Sequence, residues 1–533
     1  MYDSFRIRLS LCRRSIFRNR KDARIREFLI KIFDSFFGRI MKKIRYSYVL
    51  VCCFLCAAAA LLFASTCSPI FATSFWTDTN IYFTMGRGIR HGLLPYRDLY
   101  DHKGPLLYIL YSLAACVSEN SFFGVYLIEI AALGLTCFLS YKISEIFVKG
   151  YGALLSIPLT AIVCVSCTAF NQGGSAEELC LPALAYAVYA YLGLFETDDK
   201  TARSVLFGVT AGFVFLIKFT ICGLHFGLGI AAFLYLAACR GISTAAEHVL
   251  KWIAGFLMMI VPAMLFLVLT GILGPCIQAY FWDNVNVYEG TPLTLTGHVY
   301  NALAYLRTQS AINPAVFLFT VLGFLYLGIR TVVRRRKENV FELLGYLFSA
   351  GLFLLFVYWG EMAHPYYALV FAACICPGIV PLTGILNQLD EKSEKKIFVN
   401  VSFLLLILAI LPVSAGTSRV IPLLSVKREQ MPQKQFAGEM LLSDGDTILD
   451  VTSLDQGFYL GAGVLPACRY FADNNLPSKE KEQEIQRYLS DAVPKYVVSI
   501  YRDPGDRYEL IDEAEGLFDL ADLRHYRLYQ RIQ

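Results

Sequence analysis

The chain has 533 residues, of which 56% are hydrophobic and 17% charged, and its mean hydropathy is +0.51. Ordinary soluble domains carry about 25% charged residues, so these values exclude a soluble enzyme built on one or two cores, and they exclude a disordered chain. The net charge of +5 sits at the N-terminus and in short loops between apolar runs, a distribution that indicates no nucleic-acid partner.

Residues 1–46 form a basic tail with few acids. Such flanks resist translocation, which places this end in the cytoplasm. Met41 is a candidate start, with residues 1–40 then an extension or a loose tail. The run 47–66 is longer than the 7–15 apolar residues of a signal-peptide core, so it reads as an uncleaved first span. Further apolar runs lie near 122–147, 150–169, 179–195, 205–221, 223–239, 251–271, 312–329, 340–358, 366–386 and 397–415. Together these make about eleven crossings of a hydrocarbon core roughly 30 Å thick. The basic loops Arg330–Lys337 and Lys392–Lys396 then fall inside with the N-terminus, and residues 416–533 fall outside. The expected architecture is a mainly α, polytopic helical bundle over 47–415, with a small extracytoplasmic α/β domain over 416–533. The expected location is the cell membrane, with multiple passes.

Four aromatic-rich polar stretches share the outer side: 67–121, 170–178, 272–311 and 359–365. Within the first, Thr77–His91 has Ile81, Met85 and Ile89 at helical spacing, as in a helix lying on the membrane. Gly104–Val117 is apolar but short, with Pro105 suited to a first helical turn. Both read as interfacial helices packed on the bundle. Most of the sixteen cysteines lie inside apolar runs, among them Cys52, Cys53, Cys56, Cys137, Cys164 and Cys167, where small-residue packing explains them better than redox or zinc chemistry. In the C-terminal region the strand candidates are Thr447–Val451, Lys495–Tyr501 and Tyr526–Arg531. Lys479–Val493 reads as a helix with Ile485, Leu489 and Val493 on one face and Pro494 as its stop. The region carries no phosphate loop, ligand cluster or nucleophile elbow and reads as a lid or docking module.

The densest group of chemical residues is in the first outer loop. Asp78 follows the first span by a few residues, at the mouth of the bundle, where charge is costly and is retained at functional or paired sites. It either takes a proton from an attacking hydroxyl or caps the helix that starts there. Lys103 either meets a phosphate oxygen as a point charge, stabilising charge on a phosphate leaving group, or pairs with Asp101 or a lipid headgroup. His102 lies between these two. Arg90, Arg97 and Asp98 read as structural pairs, and the three-residue spacing of Asp98 and Asp101 is no metal motif. Lys218 lies inside an apolar run toward its outer end. It is a second candidate for the phosphate, or it snorkels to the interface. Glu177 and Glu178 open another span; one would orient an acceptor or hold a cation such as Lys103, and the other would face water. His225 and His364 also lie near outer ends, where packed and hydrogen-bonded histidines are common. Tyr366, Tyr367, Trp282 and Tyr288 either line a sugar or lipid groove or belong to the aromatic belt, the belt being the simpler reading for each alone.

The stretch from Asp78 through Gly92-Leu-Leu-Pro-Tyr-Arg-Asp98 to Asp101-His-Lys-Gly-Pro105-Leu-Leu-Tyr108 resembles the first outer loop of bacterial membrane glycosyltransferases of the GT-C fold. The closer likeness is to the protein mannosyltransferase and aminoarabinose-transferase-like group, including rhizobial lipopolysaccharide sugar transferases. Asn171-Gln-Gly-Gly-Ser-Ala-Glu177-Glu178 and Gly360-Glu361-Met-Ala-His364-Pro-Tyr366-Tyr367 look similar too. The resemblance implies transfer of a sugar from a polyprenyl phosphate at the outer face, usually with inversion. Carried over, Asp78 matches the essential acid after the first span and Lys103 the basic residue near the donor phosphate. Asp101, His102, Glu177, Glu178, His364, Tyr366 and Tyr367 would line the site. This chain has Asp-His-Lys where relatives often have another residue before the lysine, which leaves His102 without a carried-over role. A lipid-phosphate sugar brings its own leaving group, so a base, a phosphate clamp and a dry pocket suffice, with no cofactor or metal assigned and an oxocarbenium-like transition state. The partners are membrane lipid, the lipid-linked donor and an envelope glycan, lipid or protein as acceptor. Two other classes stay open: a lipid-linked saccharide transporter, against which stand the missing internal repeat and the clustering of polar residues at one face, and a non-catalytic scaffold.

Overall fold

The computed structural model describes residues 23–532 except 197–200, 288–292, 361–363, 394–396, 444, 473–475, 477, 519 and 521, with side chains from Ile44 onward. Most of the basic tail, including Met41, therefore lies outside the described side chains, as do Tyr288 and Glu361. Residues 1–52 form one unit and 53–533 another. The first unit, where described, is the beginning of helix α1 (Ala23–Ala64).

In chain order the second unit continues with α2 (Thr77–Arg90), α3 (Pro105–Val117), α4 (Phe123–Phe147), α5 (Ser156–Ser166), α6 (Ala176–Glu196), α7 (Thr201–Phe215) and α8 (Gly223–Arg240). Then follow α9 (Ile242–Leu269), α10 (Leu295–Ile312), α11 (Pro314–Arg334), α12 (Lys337–Val357), a 3-10 segment Pro365–Cys374, α13 (Cys376–Ser393) and α14 (Ile397–Thr417). Among the described residues, eight helices are long and apolar enough to cross a membrane, and the pair Pro365–Cys374 with α13, bent by 48°, makes up to nine. The two other expected crossings are shorter apolar helices, Gly152–Ser166 and Thr201–Phe215. The first begins as a 3-10 turn at Gly152–Leu155, and the second breaks off near Leu216–Lys218. The chain is a multi-pass membrane protein.

Helix α2 departs from the expected surface-lying helix. Ten of its residues, from Thr79 to Gly88, are buried, because it runs between the bundle and the C-terminal region. On the bundle side it packs on α3, where a Cβ on Gly86 would stand 2.5 Å from the backbone carbon of Tyr111, so only glycine permits this approach. On the other side Thr84 Oγ1 donates to Asp455 Oδ2 at 2.6 Å. The loop before α2 is anchored by Phe71 and Phe75, which share a small core with Val420, Leu423 and Met431.

The C-terminal region is a four-stranded sheet, β1 (Ile448–Val451), β2 (Tyr496–Ser499), β3 (Tyr508–Leu517) and β4 (Leu523–Arg531), in the order β1-β2-β4-β3. β1 and β2 are parallel and the remaining pairs antiparallel, with a bulge between Leu510 and Asp512. Helix Lys479–Ser490, capped by Ser478, buries Ile485 and Leu489. It stops before Val493, which is exposed, so that residue is not part of the apolar face.

Candidate active site

Two chain segments meet through their backbones. Gly104 N–H donates to the Ile217 carbonyl at 3.0 Å and Leu106 N–H to that of Leu216 at 3.1 Å. These bonds bring Lys103 beside Lys218, although 115 positions separate them. The break that holds Lys218 is itself pinned by Tyr280, whose hydroxyl donates to the Phe215 carbonyl at 2.5 Å and accepts from Phe219 N–H at 2.7 Å. The Lys103 segment is fixed on every side: its carbonyl accepts from Tyr96 OH at 2.8 Å, its N–H donates to Tyr108 OH at 2.9 Å, and Asn284 Nδ2 donates to the His102 carbonyl at 2.6 Å.

Asp78 is in the first turn of α2 but does not cap it; the N-cap position is Trp76. Its Oδ2 accepts from Tyr82 OH at 3.3 Å, one turn along, and from Tyr366 OH at 3.0 Å. Lys218 Nζ is 2.6 Å from Glu177 Oε1 and 3.4 Å from the centroid of the Tyr367 ring. Two consecutive tyrosines thus hold the acid and the ammonium. This differs from the belt reading of Tyr366 and Tyr367; of the two glutamates expected to hold a cation such as Lys103, Glu177 holds one, and it is Lys218. Trp282 is 58% exposed, which fits the belt. Lys103 Nζ instead sits 2.7 Å from His102 Nε2.

Beside Lys103, Asp101 Oδ2 accepts from Tyr108 OH at 2.8 Å, and its Oδ1 is 3.4 Å from His102 Nδ1. Burial raises the Asp101 carboxyl, opposed by the Lys103 charge and the Tyr108 hydrogen bond. Burial pushes His102 well below the ordinary imidazole range, and the charges of Lys103, Lys218 and His364 add to this, so the ring is neutral and accepts from the ammonium. His364 is lowered chiefly by burial, and it feels Asp78, Lys218, Lys103 and Glu177 together. It stacks on Tyr366 at 5.3 Å. Asp78, Asp101, His102, Lys103, Glu177, Lys218, His364, Tyr366 and Tyr367 therefore gather in one cluster, at the mouth of the candidate cleft.

Glu178 does not face water. It is 1% exposed and points away from the cleft, toward Gly174 and Glu129. His225 is packed as expected, with Nε2 3.1 Å from Thr210 Oγ1. Arg97 and Asp98 pair at 2.7 Å, and Arg90 pairs with Glu119 at 3.1 Å. From Phe219, next to Lys218, an apolar groove of about 770 Å³ runs along α7, α8 and α9, lined by Phe215, Phe226, Trp252 and Phe256 among others. Among the described residues, no three His, Cys, Asp or Glu side chains are grouped to hold a metal ion.

Residues 102–268 match the family of dolichyl-phosphate-mannose-protein mannosyltransferases. ArnT from Cupriavidus metallidurans bound to undecaprenyl phosphate superposes with a TM-score of 0.57 at 12% identity, over 90% of this chain and 97% of that one. This chain has the GT-C fold. The apo form of the same ArnT gives 0.55 at 12% identity, over 93% of this chain and 98% of that one. An oligosaccharyltransferase from Archaeoglobus fulgidus, in complex with Zn and sulfate, gives 0.48 at 18% identity, covering 85% and 67%. No curated protein matches by sequence. The GT-C bundle places the cleft at the end of α6 that carries Glu177. The opposite end of α6 carries Glu196, paired with Arg330, which also binds Glu342 at 2.7 Å.

Several residues in and behind this cleft were not singled out from sequence. Tyr82 is four residues from Asp78 on a helix, a spacing that brings side chains together. Glu129 is an acid inside an apolar run, the same signal that marks Lys218. Tyr96, Tyr280 and Asn284 act through backbone groups and leave no such mark.

Proposed function

We propose that this GT-C protein is a membrane glycosyltransferase, moving a sugar from a polyprenyl-phosphate donor to an envelope acceptor at the outer face of the cell membrane. The observation that carries the reading is that Tyr366, hydrogen-bonded to Asp78, adjoins Tyr367 under Lys218, while the backbone bonds of Gly104 and Leu106 to residues 216–217 bring Lys103 beside Lys218. Asp78 is the general base. Two tyrosine hydroxyls fix one carboxylate oxygen, and the other is turned to the hydroxyl of the acceptor, whose proton it removes as the new glycosidic bond forms. Direct displacement by that hydroxyl inverts the anomeric carbon. Lys103 binds the donor phosphate: it is 8% exposed and its ammonium is hydrogen-bonded to the His102 imidazole, so an anionic phosphate oxygen is a better partner than that ring. Lys218 stands beside it, held by Glu177, and the two cations take up the charge that builds on the leaving phosphate. The groove that starts at Phe219 fits the prenyl chain by chemistry and by continuity with Lys218. The fold of ArnT, solved with undecaprenyl phosphate, supports a donor of this class.

The experiment is transfer from a radiolabelled polyprenyl-phosphate sugar in proteoliposomes supplied with an envelope fraction. Asp78→Asn and Lys103→Ala should abolish transfer at normal protein level and insertion. Transfer at the wild-type rate by Asp78→Asn would refute the mechanism, and movement of the unaltered lipid-sugar across the bilayer would replace it with transport.

A further inference from the structure

Behind the cleft lies a second acid pair that the proposed chemistry does not use. Glu129 on α4 is 0% exposed and Glu178 on α6 is 1% exposed. Both accept from one backbone donor, Gly174 N–H, at 2.7 Å to Glu129 Oε1 and 3.0 Å to Glu178 Oε2. Ser65 Oγ lies 2.8 Å from both oxygens of Glu129. The ion pairs of α6 go elsewhere, Glu177 to Lys218 and Glu196 to Arg330. Two carboxyl groups crowded in an apolar surround cannot both be charged, and a shared proton resolves the conflict. Glu178 Oε1, a buried oxygen with no hydrogen-bond partner among the described residues, is the natural holder of that proton.

The pair grips a strained loop. Asn171, Gly173 and Gly174 all have positive φ, at 58°, 84° and 75°, a conformation that favours glycine. The loop's carbonyls in turn hold the helices of the cleft. Thr79 Oγ1, one residue after Asp78, donates to the Gly173 carbonyl at 3.2 Å. Tyr111 OH donates to that of Gly174, and Thr66 N–H to that of Gln172 at 2.8 Å. Beyond the loop, three residues lead to Glu177 and its partner Lys218.

We propose that Glu129 and Glu178 are positioning residues: a carboxylate–carboxylic acid pair that locks the Gly173–Gly174 loop and so sets Asp78 and Glu177 relative to one another. The inference rests on the transferase reading for its kinetic part only. The roles of the two acids differ. Glu178 offers a donor and accepts a hydrogen bond, which glutamine also does. Glu129 is acceptor only, for Ser65 and Gly174, and glutamine at that position turns an NH2 group toward donors.

The test compares Glu178→Gln, Glu178→Ala and Glu129→Gln in one membrane preparation. Glu178→Gln should keep kcat within about threefold of wild type, while Glu178→Ala and Glu129→Gln should lose about 100-fold, the scale of a 1 Å misplacement of reacting groups. KM for the polyprenyl-phosphate sugar should stay within about threefold throughout, since neither acid meets the donor. Infrared spectra should show a protonated carboxylic-acid band in the wild type that Glu178→Gln removes, whether or not the protein transfers sugar. Equal loss in both glutamine variants, or a wild-type spectrum without that band, overturns the proposal. Inactivity of the wild type with the band present would instead count against the transferase reading alone.

Discussion

The pair formed by Lys218 and Glu177 allows a quantitative check. Their side chains are 13% and 3% exposed and 2.6 Å apart, and the ammonium lies over the Tyr367 ring. Lys218→Met keeps an apolar contact with the ring but leaves Glu177 buried without its cation, a defect that costs about 3–5 kcal/mol. Glu177→Gln leaves the ammonium over the ring without its carboxylate and should cost about 1.5–3 kcal/mol, the net value of a hydrogen bond to a charged group. In the double variant no charge is stranded, so the combined loss should fall short of the sum by about 2–3 kcal/mol. Unfolding free energies from SDS titration in mixed micelles give this coupling directly. If Lys218 meets the donor phosphate, the double variant recovers stability and stays inactive, with donor affinity lost as well. Losses that add within about 0.5 kcal/mol would refute a buried pair here, and recovery of transfer in the double variant would refute the role of Lys218 on the donor.

Four further outcomes are expected. Tyr366→Phe removes one of two hydroxyls on Asp78 and should lower kcat about tenfold with the fold intact, whereas Asp78→Asn should lower it by at least about 100-fold; both are read by initial transfer rates. Gly86→Leu drives a side chain into the Tyr111 backbone and should cost about 3 kcal/mol or more, seen as a lower unfolding midpoint. Thr84→Val removes the hydrogen bond to buried Asp455 and should cost about 1–3 kcal/mol, with limited proteolysis showing earlier release of the C-terminal region. Burial, aided by Asp455, raises Asp450 to about 7. For an acid raised in the folded state, stability is fully present below the ordinary carboxylate range and is lost as pH rises through about 7. The unfolding midpoint should therefore fall as pH rises from the ordinary carboxylate range to about 7 and level off above it, and Asp450→Asn should flatten that slope.

The bundle was legible because apolar runs of span length depend on composition alone, and helices α2 and α3 because Pro105 and the Ile81–Met85 spacing are local signals. The burial of α2 on all sides was not, since Thr84 meets Asp455 across 371 positions. Strand β3 escaped notice because it is an edge strand rich in charge, with Glu509, Glu513 and Glu515 exposed and Asp512 half-buried, as edges tend to be. In the cleft, residue types were readable and pairings were not. Charge alone offers Glu177 either Lys103 or Lys218; the choice is made by backbone bonds from Gly104 and Leu106 to residues 216–217. Which of Glu177 and Glu178 would hold a cation could not be chosen from sequence, and the expectation that the other faces water fails because Glu178 meets Gly174 and lies by Glu129, which sits on another helix.

Tyr366 and Tyr367 open the same 3-10 segment, one bound to a carboxylate and the other under an ammonium. Their side chains leave adjacent positions of one short rod, so a rotation of that rod displaces both grips at once. Whatever ligand first loosens either tyrosine would also free the other's charge, turning two separate binding events into a single concerted release.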